Sequence, residues 1–336
     1  MIIIVGATGF IGTYLIDELL KQGKDILGTY YNNSSINNYY FNNPKIKMIK
    51  LDISRKEDFK KLQPQNVEAV ILLSSLLPAN IKGTENKEKY IRINILGTLN
   101  VLNFCKENNI KKIISTTTYA DVKNLWSSNN AINENQLRSY SLIGDHAVYT
   151  ITKNAASDLI EHYNQEFQLQ GSIFRLPPVY GAGPHSDIYV NGILRSSAVN
   201  TFINNAINGK DIEIWGNRNL KRDIVYIKDV VQAFIKAIGT NKSIGMYNIS
   251  SGKTVTLEDQ ASIIIKTFST TRNTSKIIYK PQYPNNTKSF LFDITKAKND
   301  FNYEPEYTNF KDMMIDYKKE LETDKIKYLI KTRIKQ

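Results

Sequence analysis

The sequence predicts an α/β fold, a doubly wound parallel sheet with a smaller, mostly C-terminal α+β lobe. Three observations predict it. Short β-branched, apolar runs alternate with helical patterns through the first half of the chain, a glycine-rich turn follows the first run, and the alternation loosens after residue 176. Alternation of strands and helices is typical of a parallel sheet covered by helices on both faces.

The predicted strands are apolar runs bounded by Gly, Pro or polar residues, as buried parallel strands usually are. They cover residues 2–5, 26–30, 46–50, 69–73, 111–115 and 172–175, with later strands at 212–215 and 246–249. Apolar residues at helical spacing predict helices at 87–108, 148–168, 199–208, 229–238, 257–268 and 310–322. We assign residues 1–176 and 224–250 to the sheet domain, and residues 177–223 and 251–336 to the lobe.

Composition excludes several kinds of protein. One cysteine among 336 residues allows no internal disulfide and no multi-cysteine zinc site, and three histidines argue against a histidine metal site, so no metal is expected. The longest apolar stretch, 69–78, is far short of the roughly 20 residues that span a bilayer. The apolar N-terminus breaks at Gly6 and lacks the basic start of a signal peptide, so we expect a cytoplasmic protein.

The net charge of +12 raises the question of a nucleic-acid partner. Residues 318–336 alone contribute a third of that excess, and the remaining lysines are scattered through the chain. We therefore favour a solvated basic surface, and expect no nucleic-acid or membrane partner.

The glycine-rich turn predicts a phosphate site. Residues 6–12 read GATGFIG and join the first strand to an amphipathic helix. Glycines there permit a tight turn, let the backbone approach a pyrophosphate and let the helix pack closely on the strand. The pyrophosphate would then lie at the positive helix N-terminus. A P-loop is disfavoured because no Gly-Lys-Ser/Thr follows.

With glycine at every third position, GATGFIG resembles the short-chain dehydrogenase/reductase superfamily, in particular its extended branch of nucleotide-sugar epimerases, dehydratases and reductases. The resemblance extends over roughly residues 1–320 and implies a Rossmann domain and a substrate lobe. It implies cofactor contacts from these residues: Gly6, Thr8, Gly9, Phe10, Ile11, Gly12, Tyr30, Asn32, Asp52, Ile53, Ser74, Asn94, Tyr149, Lys153, Pro177 and Val179.

Some of these assignments have alternatives. Asp52 could instead cap a helix starting near Ser54, and Asn94 could be an ordinary buried amide. An acid after the second strand would indicate NAD and a base NADP. This chain has neither in the segment from Gly28 to Ser35, so the cofactor is NAD or NADP.

Tyr149 and Lys153 predict proton-transfer chemistry. Four residues apart on a helix, they lie about 40° apart around its axis and share a face. A free tyrosine, with a pKa near ~10, is a poor base at neutral pH. A lysine ammonium and a nicotinamide charge would stabilise the phenolate and lower that pKa. The pair could also be structural, with a packed tyrosine beside a solvated lysine.

A run of hydroxyls precedes this helix by one strand–helix unit. Residues 115–121 read STTTYAD and resemble the family's Ser-Ser-Ser/Thr strand end, which implies that Thr118 holds the substrate oxygen. Thr117 takes that role if the register slips by one. Sugar-nucleotide dehydratases usually carry Asp-Glu after this threonine. Tyr119 and Ala120 stand there instead, which argues against dehydration.

Two later segments resemble substrate motifs. Residues 175–181 read RLPPVYG and resemble Arg-x-x-Asn-x-Tyr-Gly, with Pro178 in place of the Asn that commonly contacts the sugar or diphosphate. Residues 214–230 contain Arg222, which by match contacts the diphosphate or ribose; a salt bridge to Asp223 or Asp229 is the alternative. The implied substrate contacts are Thr118, Tyr149, Pro178 and Arg222.

These residues predict an NAD(P)-dependent enzyme that transfers hydride at a sugar carbon, expected to be carbon 4, of a nucleoside-diphosphate sugar. It would be a 4-epimerase or a 4-ketoreductase. A non-catalytic NAD(P)-binding regulator or scaffold is the alternative from another class. In the family the helices corresponding to 87–108 and 148–168 commonly pair between subunits, which implies a homodimer.

Overall fold

The computed structural model describes residues 1–32, 39–40, 42–78, 86–127, 130–144, 146–183, 187–190, 193–270, 274–285 and 288–333. Of the segment from Gly28 to Ser35, which bears on the choice between NAD and NADP, residues 28–32 lie within these ranges and residues 33–35 lie outside them.

Fifteen strands are described within these ranges: β1 (Ile2–Val5), β2 (Ile26–Tyr30), β3 (Ile46–Lys50), β4 (Ala69–Leu72), β5 (Lys112–Thr118), β6 (Gln170–Leu176), β7 (Val179–Tyr180), β8 (Asp187–Val190), β9 (Ile193–Ser196), β10 (Ile212–Trp215), β11 (Lys221–Asp223), β12 (Val225–Tyr226), β13 (Gly245–Asn248), β14 (Thr254–Thr256) and β15 (Ile277–Lys280). The described α-helices are α1 (Phe10–Lys21), α2 (Lys87–Tyr90), α3 (Gly97–Glu107), α4 (Ala147–Phe167), α5 (Ala198–Ile207), α6 (Ile227–Ile238), α7 (Leu257–Phe268), α8 (Thr295–Phe301), α9 (Phe310–Leu321) and α10 (Asp324–Arg333).

Seven strands form one parallel sheet in the order β13-β6-β5-β4-β1-β2-β3. The predicted α/β fold with a doubly wound parallel sheet is confirmed. The chain starts in the middle at β1, moves outward to β3 and then returns to β4 on the other side of β1. This reversal makes the carboxyl ends of β1 and β4 a topological switch point, where open α/β sheets bind ligands.

Both faces of the sheet are buried, because alternate strand residues point to opposite sides. Ile2 and Ile4 of β1 belong to a core that contains Leu15 of α1 and Phe234 of α6. Their neighbours, such as Ile3, belong to a second core with residues of α3 and α4. The sheet is therefore a three-layer sandwich whose carboxyl edge is left for loops.

One predicted helix is not regular. The pattern over 87–108 predicts a single α-helix, but α2 and α3 are joined by a π-helical stretch at Ile91–Leu96. A π turn holds an extra residue, so it shifts the side chains that follow around the helix axis. Asn94 lies within this stretch and is buried.

Four two-stranded pairs lie outside the central sheet among the described residues: β10 with β15, β11 with β14, β12 with β7, and β8 with β9. Residues 289–293 run between β11 and the segment after residue 126, because Phe290 exchanges backbone hydrogen bonds with Lys221 and Asp223 while Ser127 donates to the carbonyl of Ser289. This crossing strap joins the loop after β5 to β11.

Helix α10 returns to the first helix of the chain. The Lys325 ammonium donates to the carbonyl of Thr13, at 2.9 Å, and to the Asp17 carboxylate, and it lies 4.7 Å from the centre of the Tyr14 ring. Tyr40 also donates to the Thr13 carbonyl, at 3.0 Å. Helix α1 is thus held from outside the sheet.

Candidate active site

The turn between β1 and α1 requires its glycines. Gly6 has φ +92°, and a Cβ there would lie 2.7 Å from the backbone nitrogen of Ser74 at the end of β4. A Cβ on Gly12 would lie 2.5 Å from the carbonyl oxygen of Ala7. The Gly6 N–H is fixed by Thr29 Oγ1 of β2, at 3.1 Å. These approaches bring the ends of three strands and the start of α1 together.

The N-terminus of α1 is open to a ligand. Gly9 is its N-cap, is exposed and supplies no side-chain cap. Uncapped N–H groups and the helix dipole favour an anion there. The Phe10 ring lies against Gly181 and Gly183, where a Cβ would come within 2.9 and 2.6 Å of it. Thr8 is half-buried in the turn, and Ile11 packs partly into the core.

The ends of β2 and β3 lie along the same edge. Tyr30 is half-buried and Asn32 is exposed. The Asp52 carboxylate accepts hydrogen bonds from the backbone N–H and the hydroxyl of Ser54, at 2.9 and 2.7 Å, so it caps the turn that follows β3. Ile53 is buried, and its side chain packs against Gly97 of α3.

The structure brings Tyr149 and Thr118 into contact. Tyr149 lies in the first turn of α4, Thr118 is the last residue of β5, and their side chains are hydrogen-bonded. Thr118 Oγ1 also accepts the N–H of Ala120, at 3.1 Å, which fixes its rotamer. Thr117 points to the opposite side of the strand, and its buried hydroxyl makes no hydrogen bond within the described residues.

Burial dominates the electrostatics of this pair. Burial raises the pKa of Tyr149 above its usual value, the neighbouring Tyr90 and Tyr119 add to the rise, and the hydrogen bond with Thr118 opposes it. Burial lowers the pKa of the Lys153 ammonium to about 8. The protein by itself therefore keeps Tyr149 protonated and destabilises the charge on Lys153, so a phenolate needs a further positive charge beside it.

Asn94 connects this helix to the end of β4. Its amide oxygen accepts from the backbone N–H of Leu76, at 2.7 Å, and from the Ser75 hydroxyl, at 3.1 Å. Its amide nitrogen donates to Thr152 Oγ1 of α4, at 3.1 Å, next to Lys153 in the chain. A buried amide with these partners fixes α4 relative to the switch point.

Arg222 of β11 lies near Tyr119 and Tyr180. Its side chain is hydrogen-bonded to that of Tyr180, whose hydroxyl donates to Gln260 at 3.3 Å. The two carboxylates that offered an alternative partner are used elsewhere: Asp223 accepts from the N–H of Phe292 and Asp229 from two backbone N–H groups.

Residues 177–179 lead from β6 into this region. Pro177 is buried, whereas Pro178 and Val179 are half-buried. The Pro178 carbonyl accepts the N–H of Val225, at 3.1 Å, and Val179 pairs with the same residue. The carbonyl and the strand pairing thus hold the chain where it leaves the sheet.

The acid nearest to Thr118 in the chain takes part in a buried ion pair. Asp121 is fully buried, and its carboxylate accepts two hydrogen bonds from the Arg175 guanidinium, at 3.1 and 2.9 Å. Arg175 also donates to Asn248, which in turn bonds the carbonyls of Ile132 and Asp293. Asp121 therefore anchors the turn after β5.

Sequence reasoning missed several residues at this site. Tyr90 and Tyr119 both approach Tyr149, Thr29 fixes the glycine turn, and Trp126 stacks on Tyr119. Tyr119 could have been flagged from its place directly after Thr118. No grouping of histidine, cysteine and acidic residues suited to a metal occurs among the described residues, and within them no helix has the length and apolar character needed to cross a membrane.

A family model, the NAD dependent epimerase/dehydratase family, matches residues 2–250. A putative UDP-glucose 4-epimerase from Methanocaldococcus jannaschii is 26% identical over 271 residues, covering 79% of this chain and 81% of the relative. Two solved structures share the fold. A UDP-glucose 4-epimerase from Thermotoga maritima, with UDP-glucose, has a TM-score of 0.78, 22% identity and coverage of 95% of this chain and 98% of its own. A UDP-glucuronic acid 4-epimerase from Bacillus cereus, in complex with NAD, has a TM-score of 0.74, 23% identity and coverage of 96% and 99%.

Proposed function

The chain belongs to the NAD dependent epimerase/dehydratase family, and on that premise we propose that it is an NAD-dependent epimerase that inverts carbon 4 of a hexose carried on UDP. One observation carries the proposal. Tyr149 and Thr118 are hydrogen-bonded to each other one helical turn from Lys153, at the sheet edge where the glycine turn lies. The similarity to a putative UDP-glucose 4-epimerase supports the choice of substrate.

The glycine turn fits a dinucleotide. The close approaches at Gly6 and Gly12 leave no room for side chains, and the uncapped start of α1 offers N–H groups to a diphosphate. The residues that would hold the rest of the cofactor are Thr8, Phe10, Ile11, Tyr30, Asn32, Asp52, Ile53, Ser74, Asn94, Pro177 and Val179. We propose NAD rather than NADP because the family description and a structural neighbour in complex with NAD favour it.

When bound, NAD would supply a reversible two-electron acceptor for the substrate carbon. Thr118 would hold the 4-oxygen of the sugar, since its hydroxyl already bonds Tyr149 and its rotamer is fixed by Ala120. Tyr149 Oη would take the 4-hydroxyl proton as carbon 4 is oxidised, and would return it after the sugar has presented its other face. Lys153 and the cofactor's positive charge would together oppose the burial that raises the Tyr149 pKa.

Arg222 would bind the diphosphate of the substrate. A guanidinium can bond two phosphate oxygens at once, and Tyr180 holds this one at the side of the cleft. Pro178 would border the sugar without an amide to bond it. We assign the cofactor domain to residues 1–176 and 224–250, and the substrate lobe to residues 177–223 and 251–336.

The residues after Thr118 bear on the kind of reaction that the site can catalyse. Dehydration is disfavoured because Tyr119 and Ala120 follow Thr118, and the next acid, Asp121, is held by Arg175.

We also propose a homodimer formed through α2–α3 and α4. On these helices Ile91, Leu96 and Ile151 are exposed to between 40 and 51%, and a second copy would cover them.

The test is a Tyr149→Phe variant assayed for interconversion of UDP-glucose and UDP-galactose. We expect turnover to fall by about 10²-fold or more, the usual contribution of a positioned acid–base group, with NAD affinity unchanged. Tyr163→Phe is the matched control, because Tyr163 lies on the same helix and bonds Asn103 away from the site. Wild-type turnover in Tyr149→Phe would overturn the mechanism.

Mass spectrometry of ligands that copurify separates the remaining activities. Bound NAD with a UDP-sugar supports the epimerase. A protein that copurifies without cofactor, and that oxidises added NADPH when given a 4-keto sugar nucleotide, would be the 4-ketoreductase. Cofactor binding without turnover of any nucleotide sugar indicates a regulator or scaffold.

A further inference from the structure

Three aromatic rings stand between the two ends of the candidate active site. The Tyr119 and Trp126 rings are stacked, with centroids 5.1 Å apart and planes at 7°. Phe290 closes the group, with its centroid 4.8 Å from that of Trp126 and 5.5 Å from that of Tyr119. We call these three residues the aromatic wall.

Both ends of the wall are tied to residues of the proposed mechanism. Tyr119 directly follows Thr118, whose hydroxyl bonds Tyr149. Phe290 donates its N–H to the Lys221 carbonyl and accepts the N–H of Asp223, each at 3.1 Å, so it pairs with the backbone on both sides of Arg222. The wall therefore runs from the reacting end of the cleft to the guanidinium proposed to hold the diphosphate.

The wall is placed to meet a ligand. Tyr119 and Trp126 are half-buried and pack against a small core that contains Phe290. Tyr119 also lies within electrostatic reach of both Tyr149 and Arg222. The indole Nε1 of Trp126 is buried yet makes no hydrogen bond within the described part of the chain. A buried donor without an acceptor is costly, and the hydroxyl of a bound ligand would satisfy it.

We propose that the aromatic wall binds the hexose ring and makes the enzyme prefer a neutral hexose over a hexuronate. This inference rests on the proposed function, because it takes the cleft between Thr118 and Arg222 to be the sugar site. Tyr119 is its specificity-determining residue, since it is the wall residue next to Thr118.

The preference follows from the charge distribution of an aromatic ring. The C–H groups of a pyranose pack against a ring face, which carries partial negative charge. A carboxylate against that face is repelled and also loses water without gaining a partner. Arg222, the cation at the far end of the wall, would be occupied by the diphosphate in this arrangement.

The experiment measures binding of UDP, UDP-glucose and UDP-glucuronic acid to the NAD-loaded protein by calorimetry. We expect the wild type to bind UDP-glucose about tenfold more tightly than UDP-glucuronic acid. Tyr119→Ala should reduce that ratio to less than about threefold while leaving UDP affinity unchanged. Tyr119→Phe keeps the ring and should keep the ratio.

Phe167→Ala is the matched control for removing an aromatic ring. Phe167 packs with His162 and Tyr163 at the other end of α4, about 27 Å from Tyr149 at 1.5 Å per residue. The ratio of UDP-glucose affinity to UDP-glucuronic acid affinity in Phe167→Ala should equal that of the wild type.

Three results would overturn the inference: equal wild-type affinity for both sugars, an unchanged ratio in Tyr119→Ala, or a loss of UDP affinity in that variant as large as the loss of UDP-glucose affinity. The last result would mean that Tyr119 only supports the fold around Arg222. The expected binding pattern in a protein that does not epimerise either sugar would support the wall and refute the proposed epimerase.

Discussion

Replacing Lys153 by methionine should stabilise this protein at neutral pH while abolishing its proposed activity. Lys153 is 6% exposed, and burial lowers the pKa of its ammonium from 10.5 to about 8. At about 1.36 kcal/mol per pKa unit, keeping this charge in the folded protein costs roughly 3 kcal/mol at pH 7. Methionine has a similar length and carries no charge, so Lys153→Met should raise the free energy of unfolding by up to that amount.

The pH dependence distinguishes this cause from better packing. Below pH 8 the lysine is charged in both the folded and unfolded states, and the wild type bears the full cost. Between pH 8 and 10.5 the unfolded state binds more protons than the folded state, so wild-type stability rises relative to Lys153→Met. Above pH 10.5 both states are neutral and the difference disappears.

The assay is urea unfolding of both proteins without cofactor at pH 7, 8, 9 and 10. The difference in unfolding free energy should shrink steadily above pH 8, while titrations common to both proteins cancel. Lys266→Met, at an exposed position of α7, measures the effect of the same change on the surface. A difference that stays constant from pH 7 to 10 would refute the reasoning.

Two other predictions concern the cofactor turn and the subunit surface. Gly12→Ala should lower the melting temperature and weaken NAD binding by more than about tenfold, because its Cβ meets the Ala7 carbonyl at 2.5 Å. The control is Gly239→Ala, where φ is −75° and a Cβ would meet only atoms at 3.6 Å or beyond. This control should unfold at or above the wild-type temperature. Equal NAD affinity in Gly12→Ala and Gly239→Ala would contradict the close-approach argument. Light scattering should give about twice the 38.4 kDa of one chain, and Ile91→Glu should halve that mass; a monomeric wild type would remove the proposed dimer.

Local sequence signals were enough to predict the central sheet. The bounds of β1, β2 and β3 agree with the prediction because each is a short apolar run between polar or glycine residues. The strand β5 runs three residues further than predicted, through Thr118. Hydroxyl side chains resemble a loop in sequence, whereas β-branched threonines fit a pleated strand.

Features that depend on distant contacts were not predicted. The π-helical stretch that holds Asn94 leaves no mark in the apolar periodicity, because it is stabilised by the bonds of Asn94 to the end of β4 and to α4. The strands β7, β11, β12 and β14 are two or three residues long and exist only through their partners. The aromatic wall needs Phe290, which only the strap 289–293 brings to Tyr119.

The fall expected for the Tyr149 pKa is also not seen in the protein alone. The sequence placed a lysine one turn away, but it could not show how deeply both side chains are buried. Burial raises the pKa of Tyr149 and lowers the pKa of Lys153. The spacing predicted which groups meet, whereas the energy of their ionisation depends on the surrounding protein.

The contact between α10 and α1 has a consequence for the order of folding during synthesis. Lys325 bonds the Thr13 carbonyl, a partner 312 positions earlier in the chain. At roughly 5–20 residues per second, the ribosome would need about 15 to 60 s to produce Lys325 after Thr13 has been made. During that interval α1 lacks this contact, so the helix proposed to bind the cofactor phosphates would form in the nascent chain before Lys325 can hold it.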